Sequence, residues 1–516
     1  MMESGEKYIK YPEKALQNII ILFVFISAIY FFSSITADPD LWGHILFGKK
    51  ILSSKAIPNV DIYSYTAYGK AWINHEWLSE ILMYLIFNVF GSPGLLIVKT
   101  LIGILTVTLL SIISFNRKTY SLSYGAVFVL SVFIMSPGFM VRPQLITFLC
   151  TALFLFVIHL YLEKKENVLW SLPLIMIIWV NSHGGFIIGA GILPVITALE
   201  YVRCHLKKKG KSHIRGLSIW MLATEVAMLV NPYGYNLLLF IYRTLSLPRS
   251  ITEWGPVTLF DSTFIRFKIF SLCVILSFFI NRHKNRYWEV GLIIVAMIFA
   301  FLYQRNTPIL AILAAPFLAE KLSGIEDCLK MNKKTLSWFS NVILSVFLLF
   351  ITGYQLSVTF KRYIKSEFNI IVDPNIYPVS AVRFLKQNNI NGNILVPFDW
   401  GEYVIWKLFP NSRVSIDGRF RTVYPENVIT DHFNGARTQE AWNTLLDKYP
   451  SDIVLAKRNP FSQGMITTPS NEWLYVYSDN ISIIFLKKNE NTKEVIKRFK
   501  AKKLVYPDHE LSIYFP

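Results

Sequence analysis

The sequence predicts a polytopic α-helical membrane protein of about eleven transmembrane helices, followed by a C-terminal extracytoplasmic α/β domain. Of its 516 residues, 53% are hydrophobic and 17% charged, where an ordinary soluble domain carries roughly 25% charged residues. Long apolar runs recur along the first two thirds of the chain, and the basic residues between them fall mainly in alternate loops. Lys and Arg exceed Asp and Glu by 18, which on one exposed face would suit nucleic acid. Here the basic residues lie between apolar runs, so the charge reads as membrane topology and no nucleic-acid partner is expected.

A hydrocarbon core of ~30 Å needs ~20 apolar residues per helix. Such runs lie near 18–36, 94–115, 122–141, 144–162, 266–281, 287–303 and 336–355, with shorter or interrupted ones near 167–181, 184–202, 216–231 and 306–320. The first follows Lys7, Lys10 and Lys14 as a signal peptide would. It exceeds a signal core of ~7–15 residues and is read as a retained anchor. Segments 44–54, 77–91 and 235–246 mix apolar and polar residues and read as helices lying at the interface.

With the N-terminus inside, the inner stretches hold 20 Lys and Arg in about 60 residues and the outer ones 8 in about 100. The asymmetry puts the N-terminus and Lys207 to Lys211 in the cytoplasm. It puts Asp40, His183, Glu253 and residue 400 outside, in the plasma membrane of a bacterium or archaeon.

Two domains are expected: 1–355 in the membrane, including a long first outer loop at 37–93, and 356–516 as the soluble domain. In the latter, strand-like pieces at 393–397, 413–417, 452–456, 473–478 and 481–487 alternate with helical patterns at 378–389, 401–408 and 436–448. Cys150, Cys204, Cys273 and Cys328 form no CxxC pair and no metal-ligand spacing, so neither a disulfide framework nor a zinc site is expected. There is no solenoid repeat.

Candidate chemistry concentrates at the outer ends of the spans. Asp38 and Asp40 flank Pro39 immediately after the first span, followed by Trp42 and His44. His75, Glu76 and Glu80 close the same loop. Two carboxylates at a membrane mouth suit a divalent cation, or accept a proton from a hydroxyl nucleophile. The simpler alternative is that one of them caps the helix that follows.

Arg142, Pro143 and Gln144 lie at the next outer turn, then Asn181, Ser182 and His183, then Asn231 and Pro232, then Glu253 and Trp254, then Gln304, Arg305 and Asn306. Each alone reads as a turn, a cap or a snorkelling side chain. All of them fall on one side under a topology taken only from Lys and Arg, which points to an outward polar cavity. Arg142 and Arg305 suit a phosphate, since a guanidinium offers paired donors to anionic oxygens. No Walker A, HExxH, GxSxG or Rossmann motif stands in a suitable context, which disfavours nucleotide-driven chemistry.

The D-P-D-x-W-x-H pattern of Asp38, Pro39, Asp40, Trp42 and His44, in a long first outer loop followed by many spans and an outer α/β domain, resembles the GT-C superfamily of membrane glycosyltransferases. That superfamily includes protein mannosyltransferases, aminoarabinose transferases and oligosaccharyltransferases. The resemblance implies polyprenyl- or dolichyl-linked sugar donors and a first-loop Asp that binds the acceptor or a divalent metal, magnesium or manganese, with Asp38 and Asp40 as its ligands. D-L-W-G-H resembles the oligosaccharyltransferase form of the loop and favours Asp40 as the catalytic position. In the outer domain, PFDWGEYVIW with Asp399 and Trp400 is similar to the WWDYG acceptor signature of oligosaccharyltransferases, differing at Pro397, Phe398 and Trp400. Asp417, Gly418 and Arg419 form a second polar turn with no assigned role.

The function expected is transfer of a sugar from a polyprenyl-phosphate-linked donor to an acceptor glycan, lipid or protein on the outer face. Asp40 or Asp38 serves as base or metal ligand, with His44, His75, Glu76, Arg142, His183, Glu253, Arg305, Asp399 and Trp400 as substrate-binding residues. The alternatives are an oligosaccharyltransferase acting on protein and a non-catalytic glycan transporter or assembly scaffold. An internal repeat and buried charges on both sides of the midplane would mark a transporter, and neither is evident in the sequence.

Overall fold

Each of the eleven apolar runs forms a helix. The computed structural model describes residues 5–119, 122–207, 212–247, 251–280, 285–330, 337–435, 437–467, 472–507 and 513–516, so Lys208 to Lys211 of the expected cytoplasmic cluster lie outside the described residues. Among the described residues, six helices are long and apolar enough to cross a membrane: Lys14–Phe32, Trp77–Asn116, Gln144–Lys164, Phe186–Leu206, Gln304–Ile325 and Ser340–Lys365. Leu122–Gly138, Ser171–Val180 and Tyr287–Leu302 are shorter apolar helices. The chain is an integral membrane protein, mostly helical.

Polar residues inside these helices satisfy themselves locally, as an apolar solvent requires. Thr100, Thr106, Thr108 and Ser111 each donate to the carbonyl four residues back. Trp77–Asn116 breaks at Gly91, whose φ of +61° only glycine adopts readily, two residues before Pro93. The expected boundary between a mixed helix at 77–91 and an apolar one from 94 falls at that break.

The chain divides into two compact units. One comprises Met1–Ser34, Leu96–Leu238 and Ile251–Phe368. In it Thr307–Lys330 packs against Leu122–Met135, Tyr287–Leu302, Gln144–His159 and Ile265–Ser277. Leu310, Ala311, Ile312, Ala314 and Ala315 are fully buried, and the small alanines let neighbouring helices approach closely. The unit also holds a buried ionic cluster. Arg117 contacts Glu163, Glu289 and Glu320 at 2.5, 2.7 and 3.4 Å. Arg286 contacts the same three at 3.2, 3.1 and 2.8 Å, and His159 Nδ1 lies 3.1 Å from Glu163.

The other unit comprises Ile35–Leu95, Leu239–Ser250 and Asn369–Pro516. It contains strands β1 (Ile371–Val372), β2 (Gly392–Leu395), β3 (Ser412–Val414), β4 (Ile453–Lys457), β5 (Trp473–Ser478), β6 (Ser482–Lys487) and β7 (Ile513–Tyr514). Five form a mixed sheet in the order β3-β2-β4-β6-β5, with β2 parallel to β3 and β4, and β6 antiparallel to β4 and β5. Ile453, Val454 and Leu455 of the inner strand β4 are fully buried, so β4 reads as a continuous apolar run rather than an alternating one. β1 and β7 pair separately.

Two expectations change here. The first outer loop does not go with 1–355: Thr36 bridges to Ile371 and Ser64 to Val414, so backbone pairing ties it to the C-terminal residues. Leu41–Ser54, expected at the membrane interface, is instead part of this unit's core. Leu41, Trp42, Ile45, Phe47 and Ile51 are buried, and Trp42 packs against Tyr377, Tyr403 and Phe515. Its apolar stripe found a protein partner in Gly401–Leu408 rather than lipid.

Candidate functional site

Asp38 and Asp40 do different things. Pro39 between them has no N–H to give, and Asp38 Oδ1 accepts the Asp40 N–H at 3.0 Å, closing a tight turn before Leu41–Ser54. Asp38 is buried. Asp40 occupies the N-cap position, yet its carboxylate makes no cap hydrogen bond. The capping alternative therefore does not account for Asp40, whose half-buried side chain points elsewhere.

It points at a glycine. A Cβ on Gly418 would stand 2.3 Å from Asp40 Oδ1 and 2.8 Å from Glu402 Oε1, so both carboxyl groups occupy the space that any other residue at 418 would fill. Glu402 Oε2 accepts the Gly43 N–H at 3.0 Å, and a Cβ on Gly43 would stand 2.2 Å from it. Glu402 is fully enclosed. Its burial first, and then the Asp40 and Asp417 carboxylates, hold its carboxyl well above the ordinary range, against the pull of Arg419.

The turn after β3 is clamped by Arg419. Its Nε and Nη2 donate to the two oxygens of Asp417 at 2.8 and 2.7 Å, and its Nη1 donates to Asp61 Oδ1 at 2.6 Å. Such a bidentate pair fixes geometry as well as charge. Tyr424 donates its hydroxyl to Asp417 Oδ2 at 2.6 Å, and the rings of Phe47, Tyr63 and Trp72 surround the guanidinium at 5.4, 5.1 and 4.8 Å. Gly418 is thereby held in place between Asp417 and Arg419.

His44 lies 3.6 Å from Glu80, whose other oxygen accepts from Asn74 Nδ2 at 2.6 Å. Burial opposes the imidazolium, but Glu80, Glu76 and Asp40 outweigh it and raise the histidine above its ordinary value. His75 faces Glu76 at 3.8 Å and the Phe240 ring. Among the described residues no group of three or more His, Cys, Asp and Glu side chains is arranged to hold a metal ion. Of the two expected ligands, Asp38 has one oxygen engaged in the turn.

Asp399 and Trp400, expected to bind acceptor, have other duties. Asp399 pairs with Lys457 at 2.6 Å on the surface. Trp400 is buried and donates Nε1 to the Ile376 carbonyl at 2.8 Å. The residue of that stretch which joins Asp40 is Glu402.

In the membrane-helix unit, the polar residues of separate turns form a second network. Arg305 Nη2 lies 3.2 Å from Gln144 Oε1 and 3.4 Å from His183 Nε2, with its guanidinium over the Trp254 ring at 4.9 Å. His183 Nδ1 meets Thr147 Oγ1 at 2.7 Å, and Trp179 Nε1 donates to the same hydroxyl at 2.9 Å. Arg142 pairs with Glu253 at 3.2 Å. Arg142, His183, Glu253 and Arg305, from four separate turns, are thus brought into contacts around Gln144 and Trp254. Arg142 is partly neutralised by Glu253, whereas Arg305 is oriented by neutral groups.

No protein-family model matches the chain, and no curated protein matches it in sequence. Among solved structures, the chain is similar to ArnT from Cupriavidus metallidurans, in a crystal structure bound to undecaprenyl phosphate. The similarity covers 92% of this chain and 98% of that one, at 10% identity and a TM-score of 0.46. It is a loose likeness of overall chain path.

Sequence reasoning reached Asp40 but not the residues that surround it. Glu402, Asp61 and Gly418 lie some 360 residues from their partners in the chain. The signals present were Gly401-Glu402 after a strand, and Asp417-Gly418-Arg419 after another: small, charged turns at the ends of buried strands.

Proposed function

We propose that the chain is a GT-C-type membrane glycosyltransferase of about eleven spans. It transfers a sugar from a polyprenyl-phosphate-linked donor to a hydroxyl-bearing acceptor on the extracytoplasmic face, with the N-terminus cytoplasmic. The observation that carries the reading is the Asp40 carboxylate, which makes no cap hydrogen bond, is half-buried, and shares with the Glu402 carboxyl the space that Gly418 leaves open. Such a group is placed to accept a proton. In the step proposed, the acceptor hydroxyl oxygen bonds to the anomeric carbon and its proton passes to Asp40. The anomeric carbon–oxygen bond to phosphate breaks with its electron pair, releasing polyprenyl phosphate.

Arg305 is proposed to bind the donor phosphate, since its guanidinium lies beside Gln144 and over the Trp254 ring and offers paired donors to anionic oxygens. Arg142 would exchange Glu253 for phosphate and so contributes less. No step is assigned to a metal. Transfer to protein by an oligosaccharyltransferase route draws no support from Asp399 or Trp400, which serve a surface ion pair and the core.

The test is turnover of purified protein with polyprenyl-phosphate sugars. Asp40→Asn keeps the shape and removes the base, so the rate should fall ~10²-fold or more with thermal unfolding unchanged. Equal turnover in Asp40→Asn would overturn the assignment, and binding of donor without turnover in the unaltered protein would favour the transporter or scaffold.

A further inference from the structure

Two carboxyl groups, Asp417 and Asp61, bond one guanidinium, and two more, Asp40 and Glu402, crowd the glycine between Asp417 and Arg419. Arg419 directs its contacts to Asp417 and Asp61, and Tyr424 adds a third donor to Asp417. Glu402, which is enclosed on every side, receives one backbone N–H, from Gly43. Its other oxygen faces Gly418 and Asp40. Asp40 Oδ1 and Glu402 Oε1 lie 2.3 and 2.8 Å from the Cβ position that Gly418 leaves empty, and two carboxyl groups so close, one of them buried, do not both ionise; one keeps its proton. The half-buried Asp40 is the member water can solvate, so the proton belongs on Glu402.

We propose that Glu402 works as a neutral carboxylic acid, a positioning residue that holds Asp40 by a donated hydrogen bond from Oε1. The charged and titratable groups facing it are Asp40 before Leu41–Ser54, Asp417 and Arg419 after β3, and Glu80 at the start of Trp77–Asn116, with His44 beside Glu80. The net effect of these is acidic, in line with the raised carboxyl already noted. Gly43 and Gly418 explain themselves on this view: each gives up its side chain so that a carboxyl group fits, and no other residue would let Glu402 reach Asp40. The role in turnover rests on Asp40 being the base, as proposed above, whereas the protonation state does not.

Infrared difference spectra of the full chain in detergent, recorded across a pH titration, test the protonation directly. A protonated-carboxyl carbonyl band should be present at pH 7, lose a component in Glu402→Gln, and that component should in Asp40→Asn titrate about one pH unit or more lower because the like charge is gone. A band of unchanged intensity in Glu402→Gln, or an unmoved midpoint in Asp40→Asn, would each overturn the proposal.

Turnover supplies a second reading. Glu402→Gln keeps a neutral donor and should lose less than about tenfold while abolishing the alkaline fall in rate, whereas Asp40→Asn loses ~10²-fold or more. A Glu402→Gln variant as inactive as Asp40→Asn would mean that Glu402 works ionised. If no donor is turned over at all, the glycosyltransferase reading fails and the infrared result still decides the proton.

Discussion

Two buried charge clusters in this chain are built on opposite rules. In the membrane-helix unit, Arg117 and Arg286 each touch all three of Glu163, Glu289 and Glu320, and His159 Nδ1 lies 3.1 Å from Glu163. Every carboxylate there meets two guanidinium groups. In the other unit a single guanidinium serves Asp417 and Asp61, and Asp40 and Glu402 are crowded against the same turn with glycine for a wall. Saturated charge fastens helix ends together; crowded like charge stores a proton. Burial is common to both, so burial alone does not mark a working site, whereas the imbalance of charge does.

Removing the central cation from either cluster should have the largest effect. Arg117→Met or Arg419→Met strands buried carboxylates and should cost about 3–5 kcal/mol, read as a lower unfolding temperature in detergent. Lysine at 419 should recover only part of that, because a point charge cannot bond Asp417 through two donors while also reaching Asp61. If Arg419→Met melted like the unaltered protein, the clamp would not be holding the turn.

A sharper discrimination comes from Gly418→Ala. The backbone there accepts an L-residue, but the added Cβ would stand 2.3 Å from Asp40 Oδ1, so the carboxyl pair must part. Displacement of a reacting group by about an ångström costs ~10²-fold in rate. Turnover should therefore fall by that order while the unfolding temperature drops far less than in Arg419→Met. The reverse pattern would place the glycine in folding rather than function.

A smaller effect is expected at Arg305. Arg305→Lys keeps the charge but loses the planar fork aligned by Gln144 and Trp254, and polyprenyl-phosphate binding should weaken about tenfold. Arg142→Lys should weaken it less, since Glu253 already shares that guanidinium. Equal affinity in both variants would separate this network from the donor.

The mildest test is of acid stability. His432 donates Nδ1 to the Val428 carbonyl at 2.7 Å, and its buried Nε2 has no hydrogen-bond partner. Burial lowers its value from 6.5 to about 4. The unfolded chain then binds a proton between those values that the folded chain refuses, so stability is present above pH 6.5 and is lost as the pH falls towards 4. His432→Phe should flatten that part of the pH–stability curve, leaving any acid loss from carboxylates unchanged.

The sequence by itself determined which segments become helices, since a run of apolar residues in lipid has only its own backbone to satisfy its N–H and carbonyl groups. It determined the strand positions of 392–487 through alternation and burial, and it singled out Asp40, Arg142, His183, Glu253 and Arg305, because a charged or polar residue at the end of an apolar run is costly and therefore conspicuous. Only the tertiary structure decided that the loop at 37–93 pairs with the C-terminal residues, that Leu41–Ser54 is buried rather than interfacial, and that Asp399 pairs with Lys457 and Trp400 is buried while Glu402 comes up to Gly418. Those outcomes depend on contacts between residues hundreds of positions apart. The space left by Gly43 and Gly418 is a missing side chain, which acquires meaning only once another chain segment has filled it.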